Sequence, residues 1–395
     1  MIDKLIKNNK IKIFFQPILS IKDKKIFAFE ALTRAYDTYD ELISPMYLFD
    51  QAKKENVINK LDSYVRELAL KKFIDYHKKD KNILLFLNFE SSFVDSQEYT
   101  KFIKTVKKYN INPANLVLEI KEDEIKDNNA IKKFVGYYRK HNFIIAIDDF
   151  GTGYSSFDRL ALIKPDIVKV DRSLIYNVNK NFINSEILRA VSNMCHKIGA
   201  IVLAEGVESK NEILNCMRKD IDIFQGFYFS KPKEEINNAT QNSMFHLIEN
   251  IGIEYKKNVK NSIDTKKTIL TQTEDLCEQI LHIFNSTKED YVSKIKEIIH
   301  ENEQLEAIYT INHSTGLQKN DTIINIKSNT LFKPTSNNHD HSLKEYYFIA
   351  KNSSRCNYLS GTYVSKASGN ICRTYSSTVT INETKYILCL DIKIS

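Results

Sequence analysis

The chain is 395 residues long, 42% hydrophobic and 11% aromatic, which is ample for packed cores and excludes a disordered protein. Its net charge of +7 comes from lysines spread over the whole length, so no nucleic-acid partner is expected, and the mild positive field suits an anionic small substrate. No apolar run approaches the ~18 residues of a membrane span, and the start, Met1-Ile2-Asp3-Lys4, has no signal-peptide pattern, so a cytoplasmic protein is expected. Cys195, Cys216, Cys277, Cys356, Cys372 and Cys389 show no Cys-x-x-Cys or zinc-like spacing and read as reduced, mostly buried thiols.

Ile11 to Ile21 reads as a strand and Lys25 to Phe29 as a second one. The turn Lys22-Asp23-Lys24 is too short for a crossover helix, so the two strands should be antiparallel, with Gln16 opposite Glu30. From Glu41 to His77 apolar residues recur at helical spacing (Leu48, Phe49, Ala52, Val57, Leu61, Val65, Leu68, Leu70, Phe73). Ile83 to Leu87 is an apolar strand ending in Asn88. Phe102, Ile103 and Val106 mark a helix, and the strand Leu116 to Leu118 ends in Glu119. A helix over Asn128 to His141 precedes the apolar strand Phe143 to Ile147, which ends in Asp148 and Asp149. A helix near Ser155 to Leu162 follows, then a strand from Pro165 through Lys169 to Val170, and a helix near Glu186 to Ile198. Ile201 to Ala204 is a strand ending in Glu205, Asn211 to Met217 a short helix, and Ile221 to Phe224 a strand ending in Gln225.

Eight strands alternating with helices, each carrying a polar residue at a fixed place, predict an α/β fold of the TIM-like (β/α)8 type with an antiparallel first strand. Gln16, Glu30, Asn88, Glu119, Asp148, Lys169, Glu205 and Gln225 should then converge at one end of the barrel. Polar groups at so many buried strand ends are a poor way to stabilise a core. Asp148 and Asp149 side by side need a counter-charge, for which divalent metal is the usual choice; the alternative is a helix cap plus one solvated carboxylate. Carboxylates and an amide, with no His or Cys, favour Mg²⁺ or Mn²⁺ over zinc, and there are enough of them for two ions with one carboxylate bridging. Such a pair suits in-line displacement at phosphorus. Lys169 could hold the attacking water or neutralise phosphate charge, and Glu205 could take the water's proton.

The segments Glu30-Ala31-Leu32-Thr33-Arg34, Leu87-Asn88-Phe89, Glu119-Ile120-Lys121-Glu122, Asp148-Asp149-Phe150-Gly151-Thr152-Gly153-Tyr154-Ser155-Ser156, Lys169-Val170-Asp171, Glu205-Gly206-Val207-Glu208 and Gln225-Gly226-Phe227 occur in order over roughly residues 5 to 235. Together they resemble the EAL-domain cyclic di-GMP phosphodiesterases. The resemblance implies hydrolysis of cyclic di-GMP to linear pGpG with two Mg²⁺ or Mn²⁺ ions. By position it implies Glu30, Asn88, Glu119 and Asp148 as ligands of a first metal, Asp148 as the bridge, and Asp149 as a ligand of a second. Glu205 becomes a second-metal ligand or general base and Lys169 the water-holding lysine. Gln16, Arg34, Glu208 and Gln225 match positions that contact water, phosphate or base. Glu122 matches the glutamate that holds the loop after Asp149, through which family members couple dimerisation to activity. Lys121 and Ser209 depart from the family's usual Thr, and neither is expected to touch the chemistry. With every catalytic position filled, an active hydrolase is expected; the alternative is a catalytically inactive cyclic di-GMP receptor.

Residues 236–303 read as a helical connector after the barrel of residues 1–235. Leu276, Ile280, Ile283 and Phe284 form an apolar stripe, and Ser286-Thr287-Lys288-Glu289 resembles a capping box opening another helix. Residues 304–395 carry strand-like segments at Ala307–Ile311, Thr322–Ile326, Leu359–Val364, Ser377–Ile381 and Tyr386–Asp391, with a turn at Asn382-Glu383-Thr384. A helix leading into a small antiparallel sheet resembles a PAS- or Cache-type sensory domain in architecture alone. It implies a smaller α+β domain that senses an unidentified small ligand or forms a homodimer; the alternative is a stabilising appendage with no ligand. His339-Asp340-His341 reads as a solvated loop rather than a metal site, and Tyr346, Tyr347, Arg355 and Tyr363 as aromatic packing rather than a pocket lining.

Overall fold

A computed structural model describes residues 1–89, 99–121, 127–152, 157–286, 291–325, 333–353, 357–365 and 368–394. The chain forms two compact units, Met1–Asn258 and Val259–Ser395. No helix among the described residues is long and apolar enough to cross a membrane.

In the first unit, β1 (Ile11–Ser20) and β2 (Lys25–Tyr36) form the antiparallel pair expected from the short turn, with Gln16 opposite Glu30. The strands β4 (Leu84–Phe89), β5 (Leu116–Lys121), β6 (Ile144–Phe150), β7 (Ile167–Val170), β8 (Ile201–Ala204) and β9 (Ile223–Phe224) follow in parallel order from β2. β1 pairs antiparallel with β9 as well as with β2, which closes the barrel. A short β3 (Leu42–Ile43) lies against the end of β2.

The predicted helical stretch from Glu41 is interrupted. Ser44 caps the helix Pro45–Lys54 by accepting from the Tyr47 amide, and Pro45 supplies a preset first helical turn. Asn56 then adopts a left-handed φ of 54°, which ends that helix before Ile58–Lys79 begins. Apolar periodicity alone cannot register such a break, because both helices bury the same kind of stripe.

The barrel interior is stoppered by one apolar residue from each barrel strand: Ile18, Ala28, Phe86, Val117, Ala146, Ile167, Leu203 and Ile223, all buried. Side chains repeat on one face of a strand every second residue. Two residues beyond this layer along the parallel strands lie Glu30, Asn88, Glu119, Asp148, Lys169, Glu205 and Gln225, and two residues back along antiparallel β1 lies Gln16. The polar layer is therefore the next storey above the apolar stopper.

The second unit is α+β. Its antiparallel sheet runs β11-β10-β15-β14-β12, with β13 also on β14. The strands are β10 (Leu305–Asn312), β11 (Ile323–Ile324), β12 (Asn357–Leu359), β13 (Tyr363–Val364), β14 (Ile371–Ile381) and β15 (Thr384–Lys393). Ile308, Leu388 and Leu390 pack against Cys277, Ile280 and Phe284 of the helix Asn238–Ser286 and Ile295 and Ile299 of the helix Tyr291–Glu301. Most of the Ser286–Glu289 capping box lies outside the described residues, as do Arg355 and Cys356. The other described cysteines are buried and unbridged. His341 is buried rather than solvated: it contacts the Tyr346 hydroxyl at 2.6 Å and Gln318 Oε1 at 2.8 Å, and stacks on Tyr309. Tyr347 is aromatic packing, as its pattern predicts.

Ile381 pairs with Thr384, so β14 and β15 are joined by Asn382 and Glu383, both at positive φ (43° and 67°). This is the two-residue hairpin turn that suits the strand twist, and it favours glycine at the second place. Glu383→Gly should stabilise the second unit by about 0.5–1 kcal/mol, read as a rise in the midpoint of its thermal unfolding. An unchanged or lower midpoint contradicts the backbone argument.

Candidate active site

The polar layer draws together as the strand ends require. Lys169 is fully buried, and its Nζ lies 2.6 Å from Glu119 Oε1, 2.8 Å from Asp148 Oδ1, 3.5 Å from Glu205 Oε2 and 3.6 Å from Glu30 Oε1. The Gln225 amide donates to Glu30 Oε2 and, at 3.1 Å, to Gln16 Oε1; Gln16 donates in turn to the Ser230 carbonyl at 3.2 Å. Asn88 sits at the rim with its amide 3.3 Å from Glu30 Oε1. Gly226 has no room for a side chain, since a Cβ there would fall 2.0 Å from the Val207 carbonyl oxygen. That close approach locks the β9 end beneath the loop that follows Glu205.

Neighbouring residues on a regular strand point to opposite faces. Asp148 and Asp149 escape that rule. The pairing of β6 with β7 shifts register between Ile147 and Phe150, and Asp149 takes a left-handed φ of 57°. Asp tolerates this conformation better than most residues, and the irregularity re-aims its side chain. As a result Asp148, Asp149 and Glu205 each bring an oxygen within 4.8 Å of the others.

The electrostatics are lopsided. Five carboxylates meet two ammoniums, Lys169 in the middle and Lys121 at the edge beside Asp149, leaving a formal excess of three negative charges when all are ionised. Burial pushes Glu119 well above the usual carboxylate range, with Lys169 opposing it. Burial likewise raises Glu205 to about 8, and raises Asp149, with Asp148 adding to the effect. For Lys169 burial favours loss of the proton, but Asp148, then Glu119, Glu205 and Glu30, outweigh it and hold the ammonium well above the ordinary lysine range. Glu119 Oε2 is buried with no hydrogen-bond partner. Clustered, all-oxygen, under-compensated donors fit hard divalent cations. The residues that could hold such cations are Glu30, Asn88, Glu119, Asp148, Asp149 and Glu205, of which Asp148, Asp149 and Glu205 bring oxygens closest together.

The other predicted site residues fall at the margins. Arg34 donates to the Thr33 carbonyl at 2.8 Å and lines a cavity of ≈ 530 Å³ together with Asn88, Asp62, Arg66 and Lys121. Glu208 accepts from Arg172 Nη2 at 2.7 Å. Glu122 lies outside the described residues. Lys121 corrects an expectation, because its Nζ approaches Asp149 Oδ2 at 3.9 Å and so reaches the charged cluster. Ser209 caps the helix Lys210–Met217 in a capping box with Glu212, away from the chemistry. Two features escaped the sequence reading. One is the buried Asp62–Arg66 pair, whose i, i+4 spacing inside an apolar helical stripe is a usable signal. The other is Arg172, at the start of the short helix Arg172–Ile175, whose role depends wholly on tertiary placement.

Residues 1–232 match the EAL domain family model. Among curated relatives, the probable cyclic di-GMP phosphodiesterase PdeG of Escherichia coli is 28% identical over 230 residues, covering 58% of this chain and 45% of that protein. This chain thus spans less than half of PdeG. The crystal structure of the Bacillus subtilis YkuI protein, an EAL-domain protein in complex with cyclic di-GMP and calcium, is 22% identical and matches 100% of this chain and 99% of its own with a TM-score of 0.83, a likeness of fold over the full length. Klebsiella pneumoniae BlrP1 in a manganese and cyclic di-GMP complex is 26% identical, with a TM-score of 0.52, over 57% of this chain and 56% of its own. A barrel with this strand order and this polar layer, matched over more than half its length by that family model, belongs to the EAL-domain family.

Proposed function

We propose that the barrel is a phosphodiesterase that hydrolyses cyclic di-GMP to linear pGpG. The observation that carries this reading is the complete polar storey, above all the convergence of Asp148, Asp149 and Glu205 beside Lys169. Two Mg²⁺ or Mn²⁺ ions, one held by Glu30, Asn88, Glu119 and Asp148 and the other by Asp148, Asp149 and Glu205, would supply charge neutralisation at the phosphate and a nucleophilic water at neutral pH. The chain's own residues do the rest. Lys169 Nζ and Glu205 Oε2, 3.5 Å apart, can both contact the attacking water from one side, the ammonium donating to it and the Glu205 carboxylate, ionised when cations are bound, accepting its proton. The water oxygen bonds to phosphorus, the bond from phosphorus to the 3′ oxygen breaks, and that oxygen takes up a proton. Gln16, Arg34, Glu208 and Gln225 orient the phosphates and bases, with Arg34 facing the cavity beside Asn88. PdeG's name and the ligands of the YkuI and BlrP1 structures support this substrate.

The second unit is proposed to regulate the barrel as a sensory module for a small ligand within a homodimer. Incubation of the full chain with cyclic di-GMP and Mg²⁺ or Mn²⁺, followed by product chromatography, tests the main reading. The expected product is pGpG, and tight binding with no pGpG would overturn hydrolysis in favour of a receptor.

A further inference from the structure

Asp149 and Glu205 come from the ends of β6 and β8, which are not hydrogen-bonded neighbours, since β7 lies between them. Between them lie β7 and the segment that leaves it. The segment leaving β7 is the short turn of helix Arg172–Ile175, capped by Asp171 through the Ser173 amide at 2.7 Å. It touches the loops on both sides. Toward β8, Arg172 Nη1 donates to the Gly206 carbonyl, Nη2 donates to Glu208 at 2.7 Å, and the guanidinium lies over Tyr176. A Cβ on Gly206 would fall 3.0 Å from Arg172 Cβ, so the loop directly after Glu205 lies flat on the arginine stem. Toward β6, a Cβ on Gly151 would fall 2.6 Å from Leu174 Cδ1, so the chain two residues after Asp149 rests on Leu174. Gly151 and Gly206 both have positive φ (109° and 71°), so a side chain is disfavoured at each on backbone grounds too.

We propose that Arg172 is a positioning residue that sets the span between Asp149 and Glu205, and through it the affinity for the second of two divalent ions. The inference rests on the metal reading given above. A planar fork that grips one backbone carbonyl and one carboxylate fixes direction as well as distance, which an ammonium cannot do. Of the residues assigned to the first ion, Glu30, Asn88 and Glu119 stand on β2, β4 and β5, on the far side of β6 from the helix Arg172–Ile175 that follows β7, and only Asp148 is shared with the second.

The test is Mn²⁺ binding to the full chain without nucleotide, by calorimetry and by the electron paramagnetic resonance signal of coupled manganese pairs. The wild type should take up two ions and show coupling. Arg172→Ala should keep the first ion within about threefold and weaken the second by about 10–100-fold, the range for groups that orient metal ligands, with loss of the coupled signal. Arg172→Lys should fall between them, and it provides the same reading if the alanine variant does not fold. Two ions with wild-type affinities and coupling in both variants would overturn the positioning role. A wild type that binds no Mn²⁺ would instead sink the metal reading, and the inference with it.

Discussion

Asp148→Asn, and separately Glu30→Ala, should lower turnover of cyclic di-GMP by about 10³-fold or more. Metal-derived stabilisation of charge at phosphorus amounts to several kcal/mol, and each 1.36 kcal/mol is tenfold in rate. Asp148 stands where the two proposed ion positions meet, so the asparagine variant weakens both. It keeps the side chain's shape and removes one negative charge from a cluster that has an excess. The fold should therefore survive, and circular dichroism with thermal melting would show a midpoint at or above that of the wild type. Glu30 accepts from the Gln225 and Asn88 amides, so its loss takes the acceptor from two amides as well as an ion position. Wild-type turnover in either variant would remove these carboxylates from the chemistry.

The second large effect concerns stability. Lys169→Met should destabilise the metal-free protein by about 3–5 kcal/mol, the cost of breaking a buried ion pair by removing one partner. Methionine matches the aliphatic stem, so the loss isolates the charge. Without the ammonium, Glu119 and Asp148, both buried, lose their closest cationic contacts, at 2.6 and 2.8 Å. Two further outcomes distinguish this cause from simple misfolding. Saturating Mn²⁺ should recover much of the lost stability in Lys169→Met, since the ions compensate the same carboxylates. Lowering the pH should narrow the gap as well. The folded-state pKa of Glu119 and Glu205 already lies above the ordinary value, so these groups favour the folded state more as protons become available. Their destabilising influence sets in above the unfolded carboxylate range, and removing Lys169 enlarges it. A gap independent of both pH and metal would contradict the electrostatic account.

The barrel was legible in the sequence because its two periodicities reinforce each other. Alternation along each strand places an apolar residue and, two positions on, a polar one, and this repeats with helices between. Even the Gln16–Glu30 register followed from a three-residue turn. The bulge at Asp148–Asp149 was not legible, since nothing in the run of residues announces a register shift; only the two carboxylates side by side hint at one. The break at Asn56 was missed because a left-handed asparagine interrupts no hydrophobic stripe. Arg172 and Lys121 were overlooked or discounted for a related reason: each acts across strands, and local sequence carries no trace of a neighbour brought near by closure of the barrel. His341 looked polar and loop-bound, yet its partners Gln318 and Tyr346 reach it from either side in sequence.

The apolar stopper under the polar storey has a kinetic consequence. The apolar layer fills the barrel below the polar storey, so in the proposed reaction the substrate and its product share the face above that layer. Linear pGpG retains both guanines and both phosphates of the cyclic dinucleotide. It should therefore linger in the vestibule and compete with the next incoming molecule. Progress curves should bend early, with an inhibition constant for added pGpG within reach of the Michaelis constant, and the rate of exit rather than of bond cleavage would govern output once the messenger is abundant.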